Sequence, residues 1–405
     1  MSRSELQVEV SDPFLITGTE HGVGVYCFPS LDRMPEGDLI LSVGLDRDQS
    51  DARRITLRSA DGGATWTEDF GPHTATTVSF AALDEHTVFC NDWVRCYESE
   101  QEGRFLFAYW MSEDGGRTFG ATQIGTLHAR GARGSDPYER LSERSKAPYT
   151  AGFLKAGRPP LPTYLAPVVE RASLKRGASL SLVAAQPDGT LLGLCSYTVA
   201  GDKRGSIAVL CSGDRGRTWE FEGFAARNPS EQYGEDAFCE ESAMVQFPAG
   251  ELFCVTRAGS YRPLCALRSA DGGATWSDPE VLPIEGVQPR LVLMSDGTLA
   301  LAAGRPDNVL ALSTDRGLTW PERLIIQEWA GVENDRGEIV RRDQPNVPPD
   351  NPDLHSTGYN GLAEVEAGKL LYVYDTFSPD EHQPDRWLKR HGHGKVFGRY
   401  VTVHG

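Results

Sequence analysis

The sequence predicts an all-β fold made of six similar units, because two short patterns recur along its 405 residues. The first pattern, Ser-x-Asp-x-Gly-x-Thr followed by Trp or Phe, occurs five times. The second is a turn followed by a short apolar strand, and it occurs six times. Repetition of this kind is typical of proteins that build one core from copies of a single supersecondary unit.

The first pattern predicts a tight corner between two strands. The Ser and Asp side chains are expected to bind backbone N–H groups of the turn, and Gly to adopt a positive φ. Thr and the aromatic residue then begin the next strand, where the ring is buried. The copies occupy residues 59–66, 112–119, 212–219, 269–276 and 313–320.

The second pattern marks the turn and second strand of each unit. Its copies are at residues 35–42, 83–90, 187–194, 248–255, 295–302 and 366–373. Five of the six are followed by a copy of the first pattern, so each unit is interpreted as a four-stranded antiparallel blade. Six such units predict a six-bladed β-propeller that forms one domain over residues 1–405.

The last unit lacks the first pattern and is expected to be completed by the N-terminal part of the chain. The strand at 396–403 is predicted to lie beside an N-terminal strand such as 6–10, which removes two exposed sheet edges. Two segments, about 127–179 and 328–354, interrupt the repeats as insertions. We expect them to wall or cover the central pocket, or to be irregular excursions.

Composition excludes several classes of partner. The formal net charge of −17 disfavours nucleic acids and anionic membranes, and any anionic substrate needs a local cluster of arginines. No Cys-x-x-Cys pair occurs among the eight cysteines, which we interpret as small buried hydrophobic residues in a reducing compartment. Because no signal peptide or long apolar stretch is recognised, the cytoplasm is the expected location. No cofactor or metal is expected, since His391 and His393 have no further ligand cluster.

The first pattern matches the Asp-box, also called the BNR repeat, and the chain resembles the sialidase-like β-propellers that carry it. This resemblance implies a carbohydrate substrate bound on the propeller axis. It also implies a Tyr nucleophile assisted by Glu, an exception to the usual pair of carboxylates in glycosidases. A neutral Tyr avoids the repulsion that a carboxylate nucleophile meets at a sugar with its own carboxylate on the anomeric carbon.

Two segments resemble the family's nucleophile and base motifs. The segment 356–375 resembles the stretch that carries the nucleophile, which implies that role for Tyr359. The segment 238–257 has a Glu, two apolar strands and then an Arg, as in the family. It implies that Glu241, with Glu240 as the alternative, is the base for Tyr359, and that Arg257 binds the carboxylate of the sugar.

A second carboxylate-binding arginine is implied at Arg305, with Arg290 as the alternative. The resemblance fails at the family's Arg-Ile-Pro-Ser-Leu motif, because this chain has Cys27-Phe-Pro-Ser-Leu31 and thus Cys27 in the place of the first arginine. The pocket is expected to accept a different acidic sugar, or to use Arg47 or Arg33 as a substitute. An arginine can make two parallel charge-assisted bonds to a carboxylate, whereas lysine cannot.

The general acid/base is expected between the first strand and the first Asp-box. Asp51 is the first choice there, and Asp46 and Asp48 are the alternatives. Burial would have to raise the pKa of such a group before it can protonate a leaving group.

The sequence therefore predicts an exo-acting, retaining, sialidase-like hydrolase of a terminal acidic sugar. A polysaccharide lyase or uronic-acid-specific glycosidase, with His21 or His355 acting on protons, is the first alternative. A non-catalytic carbohydrate- or protein-binding propeller is the second.

Overall fold

A computed structural model describes most of the chain, and every element that it bounds is a β-strand. The predicted all-β class is thus confirmed. The described residues are 6–18, 27–45, 54–71, 78–93, 95–134, 168, 170–172, 175–202, 205–227, 240–259, 262–305, 307–328, 332–333, 339–340, 356–376 and 394–404. None of their segments is a helix long and apolar enough to cross a membrane.

The strands of the first half are β1 (Gln7–Val10), β2 (Phe14–Thr17), β3 (Cys27–Arg33), β4 (Leu39–Gly44), β5 (Arg54–Ser59), β6 (Thr67–Glu68), β7 (Val78–Ala82), β8 (Val88–Asp92), β9 (Cys96–Glu98), β10 (Arg104–Ser112), β11 (Gln123–His128), β12 (Arg176–Ala185), β13 (Leu191–Thr198), β14 (Gly205–Ser212) and β15 (Thr218–Ala226). Strands β3 to β6 form one antiparallel sheet in chain order.

The strands of the second half are β16 (Glu240–Gln246), β17 (Leu252–Arg257), β18 (Pro263–Ser269), β19 (Glu280–Glu285), β20 (Val287–Leu293), β21 (Leu299–Gly304), β22 (Asn308–Ser313), β23 (Glu322–Gln327), β24 (Val332–Glu333), β25 (Ile339–Val340), β26 (Asn360–Glu366), β27 (Lys369–Thr376) and β28 (Lys395–His404). Strands β16 to β19 and β20 to β23 form two further four-stranded antiparallel sheets in chain order. Strands β24 and β25 pair with each other.

The second and third predicted units are joined into one nine-stranded sheet. Strand β9 pairs with both β10 and β12, and β11 pairs in parallel with β15. A closed ring of seven strands results, in the order β9, β12, β13, β14, β15, β11 and β10. Separate four-stranded sheets were expected here, and the repeat pattern contains no signal for β9 or for the parallel pairing.

The predicted pairing between the two ends of the sequence is confirmed. Strand β28 pairs with β27 on one side and with β1 and β2 on the other. In the register of β1, Val8 lies opposite Val403. The last sheet therefore contains strands from both ends of the described chain.

The Asp-box turns have the predicted geometry. In the first copy, Ser59 Oγ accepts a hydrogen bond from Gly63 N at 2.8 Å, and Asp61 Oδ1 accepts one from Thr65 N at 2.9 Å. Gly63 has φ 94°, and a Cβ there would overlap the side chain of Leu371 on β27. Only glycine permits this close contact with a neighbouring sheet.

The hydrophobic core lies on both faces of the sheets. One cluster joins β4 and β5 to β27, and another joins β21 and β22 to β27, so β27 is buried on both sides. Six of the seven described cysteines are buried, as predicted, and Cys211 is half-buried. Most of the predicted insertion 127–179 lies outside the described residues, namely 135–167, 169 and 173–174. Of the predicted insertion 328–354, only residue 328 and strands β24 and β25 are described.

Candidate active site

Three strands that begin a unit contain a β-bulge near the same end. In β3, β16 and β20 the pairing register shifts between Cys27 and Ser30, between Glu240 and Ser242, and between Val287 and Arg290. A residue with positive φ lies at each bulge: Phe28 at 52°, Glu241 at 47° and Gln288 at 47°. Bulges are frequent beside active sites because they change the direction of one side chain.

Two of the residues predicted for catalysis are in direct contact. The phenol of Tyr359, which immediately precedes β26, donates a short hydrogen bond to Glu241 Oε1. The same oxygen accepts a bond from Arg257 Nη1 at 2.8 Å. The side chains of Glu241 and Arg257 are only 8% and 10% exposed, so the ion pair is largely shielded from water.

The second oxygen of the Glu241 carboxylate is also bound. Oε2 accepts a hydrogen bond from the backbone N–H of Gln288, the bulge residue of β20, at 2.9 Å. Two neighbouring sheets therefore fix the orientation of one carboxylate. A hydroxyl, a base within hydrogen-bonding distance and a third group that orients the base are the arrangement of an activated nucleophile.

The segment that carries Tyr359 is held by one buried carboxylate, that of Asp375 at the end of β27. Asp375 Oδ1 accepts hydrogen bonds from Ser356 Oγ and Thr357 N, both at 2.8 Å. Oδ2 accepts a bond from Phe28 N at 2.9 Å and a short one from the Thr357 hydroxyl. Burial raises the pKa of the Asp375 carboxyl, and these hydrogen bonds act in the opposite direction.

The position expected from the resemblance to hold an arginine is closed to a substrate. Cys27 is fully buried, with its Sγ 3.8 Å from the carbonyl oxygen of Gly44. The next residue, Phe28, is half-buried, and its ring lies edge-on to the ring of Tyr359 with 4.8 Å between the centroids. Arg54 Nη2 donates a hydrogen bond to the carbonyl oxygen of Phe28 at 3.1 Å.

The arginines predicted on β20 and after β21 both lie beside the nucleophile segment. Arg305 Nη2 donates a hydrogen bond to the carbonyl oxygen of Thr357 at 2.7 Å. Arg290, the alternative, binds Ser30 Oγ at 2.7 Å and the carbonyl oxygen of Asn360 at 3.4 Å. Arg33, the substitute considered for the missing arginine, is exposed at the far end of β3. Six residues of strand separate it from Cys27 by about 20 Å, so it does not join this site.

A cavity of about 300 Å³ is lined by residues of the unit-starting strands β3, β12, β16 and β20 and of β26. Its charged lining groups are Asp32, Arg33, Arg290 and Glu364, and Tyr359, Glu241, Arg257 and Arg305 are not among its lining residues. Burial raises the pKa of Asp32 to about 6, although the charge of Arg290 acts against this increase. Within the described ranges, no group of three or more His, Cys, Asp or Glu side chains is arranged to hold a metal ion.

Several predicted residues lie outside the described part of the chain. These are Asp51 with its alternatives Asp46 and Asp48, the substitute Arg47, and the histidines His21, His355, His391 and His393. Only the backbone of Glu240 is described. The structure therefore brings together Tyr359, Glu241, Arg257 and Arg305, and their chemical roles stay predictions.

Four residues that contribute to this arrangement were not predicted from the sequence: Phe28, Arg54, Gln288 and Asp375. An aspartate at the end of an otherwise apolar strand was a usable signal for Asp375, because a buried carboxylate needs several donors. No comparable pattern marks Gln288, which contributes its backbone N–H alone.

Comparisons with known proteins agree with this description. Residues 167–353 match a family model described as a BNR repeat-like domain. No match was found among curated proteins.

Among solved structures, a Dyadobacter fermentans protein of unknown function is similar at 16% identity with TM-score 0.61, over 98% of this chain and 99% of that one. The Hadza microbial sialidase Hz136 is similar at 14% identity with TM-score 0.59, over 96% and 68% of the two chains. A Penicillium chrysogenum alpha-L-arabinanase is similar at 13% identity with TM-score 0.56, over 96% and 98%. At these identities the likeness is one of fold. Together with the five repeats in the sequence, these matches confirm the resemblance to the sialidase-like proteins with BNR repeats.

Proposed function

We propose that the protein is an exo-acting, retaining glycoside hydrolase in which Tyr359 is the nucleophile and Glu241 its base. The observation that carries this proposal is the hydrogen bond from the Tyr359 phenol to a carboxylate that Arg257 and Gln288 already orient. Structural likeness to a sialidase and an arabinanase supports glycoside hydrolysis as the reaction class.

In the first step, Tyr359 Oη bonds to the anomeric carbon while its proton passes to Glu241. The bond to the leaving oxygen breaks, and a general acid protonates that oxygen. In the second step water displaces the phenolate, which recovers the proton from Glu241, and the acid, now acting as base, removes a proton from the water. We assign the acid/base role to Asp51, which precedes Arg54 and β5 in the chain.

The proposed substrate is a terminal acidic sugar. A phenol suits an anionic sugar because it is neutral until Glu241 removes its proton. We propose that Arg257 and Arg305 bind the carboxylate of the sugar, with Arg47 as a third contact. Such positive groups are needed to offset the net charge of −17.

We further propose that the six repeat units are the blades of one propeller over residues 1–405. Four-stranded antiparallel groups in chain order support this division, and β28 with β1 and β2 supports its closure. The nine-stranded sheet then represents two blades joined at one edge through β9 and β11. The segments 127–179 and 328–354 are proposed as walls of the pocket at the blade ends.

The test is turnover of aryl glycosides of sialic, deaminated sialic and uronic acids by the wild type and by Tyr359→Phe. We expect one acidic glycoside to be cleaved by the wild type, and Tyr359→Phe to lose at least about 1000-fold in kcat, since removal of a nucleophile affects the transition state directly. Tyr400→Phe is the matched control, because its phenol donates to Gly62 O in an Asp-box turn instead.

Undiminished turnover in Tyr359→Phe refutes the assigned role. A product with ultraviolet absorbance from a new double bond indicates the lyase instead. Saccharide binding with no product from any substrate, polysaccharides included, indicates the binding protein.

A further inference from the structure

We infer that Phe28 contacts the substrate directly and forms an apolar wall for one C–H face of the acidic sugar, in the place where the first carboxylate-binding arginine is missing. The inference rests on the proposed function for the position of the reacting sugar at Tyr359. In this inference, opposite sides of the pocket contact different parts of the sugar. Arginines hold the carboxylate on one side, and an aromatic ring packs against the sugar on the other.

The position of the Phe28 ring is the first argument. It lies edge-on to Tyr359, with an interplanar angle of 88°, and is half-buried. Because the ring centroids of Phe28 and Tyr359 are 4.8 Å apart, a sugar whose anomeric carbon is within bonding distance of Tyr359 Oη is within reach of the Phe28 ring. Carbohydrate C–H groups pack well on aromatic rings, because such a contact removes apolar surface from water without leaving a hydroxyl unpaired.

The backbone conformation of Phe28 is the second argument. A φ of 52° is rare and unfavourable for a bulky residue, so the surrounding structure has to enforce it. It is enforced from both sides, since Phe28 N donates to Asp375 and Phe28 O accepts from Arg54. Glu241 has the same unusual conformation and is the base for Tyr359 in the proposed mechanism.

The third argument is the position of the charged groups. Cys27 is buried and presents no cation at this wall. Arg54 is directed to the carbonyl oxygen of Phe28 and to Ser42 Oγ, which places its guanidinium behind the backbone of Phe28. Burial, together with repulsion from Arg95, lowers the pKa of Arg54 to about 10, so it stays charged at neutral pH. Among the described residues, the side chain that forms this wall is therefore the aromatic ring of Phe28.

This arrangement identifies the substrate class more closely. The preferred sugar is an acidic pyranoside whose carboxylate is on the side of Arg257 and Arg305, and whose opposite face presents C–H groups rather than hydroxyls. A sugar with an axial hydroxyl on that face is expected to bind more weakly, because Phe28 offers no hydrogen-bond partner.

Binding of free sialic acid, deaminated sialic acid and glucuronic acid is the measurement, made by saturation-transfer NMR on Tyr359→Phe so that no turnover interferes. We expect at least one of them to bind, and Phe28→Leu in that background to raise its Kd by about tenfold, the size expected for loss of a partly buried ring. Phe28→Tyr should restore the affinity. Phe70→Leu is the control, since Phe70 is 80% exposed and remains outside the site.

A direct contact is measured in parallel with ring-labelled phenylalanine, so that the inference does not depend on folding of the Leu variant. Nuclear Overhauser effects are expected between the bound sugar C–H protons and one labelled ring, and that signal should be absent in Phe28→Leu. Absence of any such contact in a bound complex overturns the inference, as does absence of binding by all three sugars. If the contact is observed but no substrate is hydrolysed, the inference stands and the proposed hydrolase activity is rejected. If a substrate is hydrolysed with the same KM by Phe28→Leu and by the wild type, the hydrolase activity stands and the inference is rejected.

Discussion

Replacement of Asp375 by Asn tests whether one buried carboxylate positions both the nucleophile and the aromatic wall. Each of its oxygens accepts one backbone N–H and one hydroxyl, from Thr357 and Ser356 on Oδ1 and from Phe28 and Thr357 on Oδ2. The amide of Asn has one acceptor oxygen and one NH2 group. In either orientation, the NH2 group therefore faces a backbone N–H of Thr357 or Phe28.

The magnitude follows from that mismatch. When a buried N–H loses its acceptor, the free energy cost is about 1–3 kcal/mol. We expect the 356–359 segment or Phe28 to move away so that this cost is relieved. Expressed in the transition state, the same free energy lowers kcat/KM by about 5- to 150-fold. Thermal stability should fall by less, because burial raises the pKa of Asp375 and the neutral Asn avoids the cost of a buried charge.

The assay is steady-state turnover of the acidic glycoside that the wild type cleaves, together with the midpoint of thermal unfolding. Asp296→Asn is the matched control, because Asp296 also accepts a backbone N–H and a hydroxyl, both from Thr298, in a turn away from the site. Its kcat/KM should equal that of the wild type. A kcat/KM for Asp375→Asn within twofold of the wild type refutes the positioning role.

Three further variants test other features. Asp32→Asn should stabilise the protein by up to about 3 kcal/mol at pH 8, because burial raises the pKa of Asp32 from 3.8 to about 6 and the ionised form destabilises the folded state above that pH. In urea titrations this gain in the free energy of unfolding should disappear below about pH 4. An equal gain at all pH values contradicts the assigned cause. Asp271→Asn should weaken the fold without changing kcat. The hydrogen bonds from Thr275 hold the pKa of Asp271 at about 2, so its stabilisation is present above pH 3.8 and lost as the pH falls through 2, and an unchanged acid unfolding curve refutes this. Cys27→Arg should lower the free energy of unfolding by about 3 kcal/mol or more, since it buries a charge beside Arg54, and increased sialoside turnover in this variant contradicts our account of the pocket.

Much of the local architecture was predictable from the sequence because its causes are local. The Ser59–Asp61–Thr65 hydrogen bonds join residues at most four positions apart, so the motif itself contains the information. The pairing of β28 with β1 was predictable for a different reason. The last unit lacked a strand, and an apolar segment at the other end was available to supply it.

The contact between Tyr359 and Glu241 was predicted only through the resemblance, since 118 residues separate the two. The support around it was not predicted. Phe28 and Asp375 are 347 residues apart, and neither residue type indicates the other. The bulge conformations were also missed, because a positive φ at Phe28 or Glu241 opposes the usual preference of those residues. Functional sites commonly contain residues whose conformation opposes their own local preference. The roles of Asp51 and Arg47 stay predictions.

The double pairing of β28 has a consequence for the order in which the molecule is assembled. Its register joins Gln7 to His404, so this sheet cannot be completed until residues as far as His404 have been synthesised. Until then β1 and β2 have no partner in the described sheets, and β27 presents an open edge that another chain is able to pair with. Contacts of such long sequence separation form slowly. A newly made chain should therefore depend on chaperones most until β28 has paired, and a deletion of residues 395–404 should expose the edges of β27, β1 and β2 at the same time.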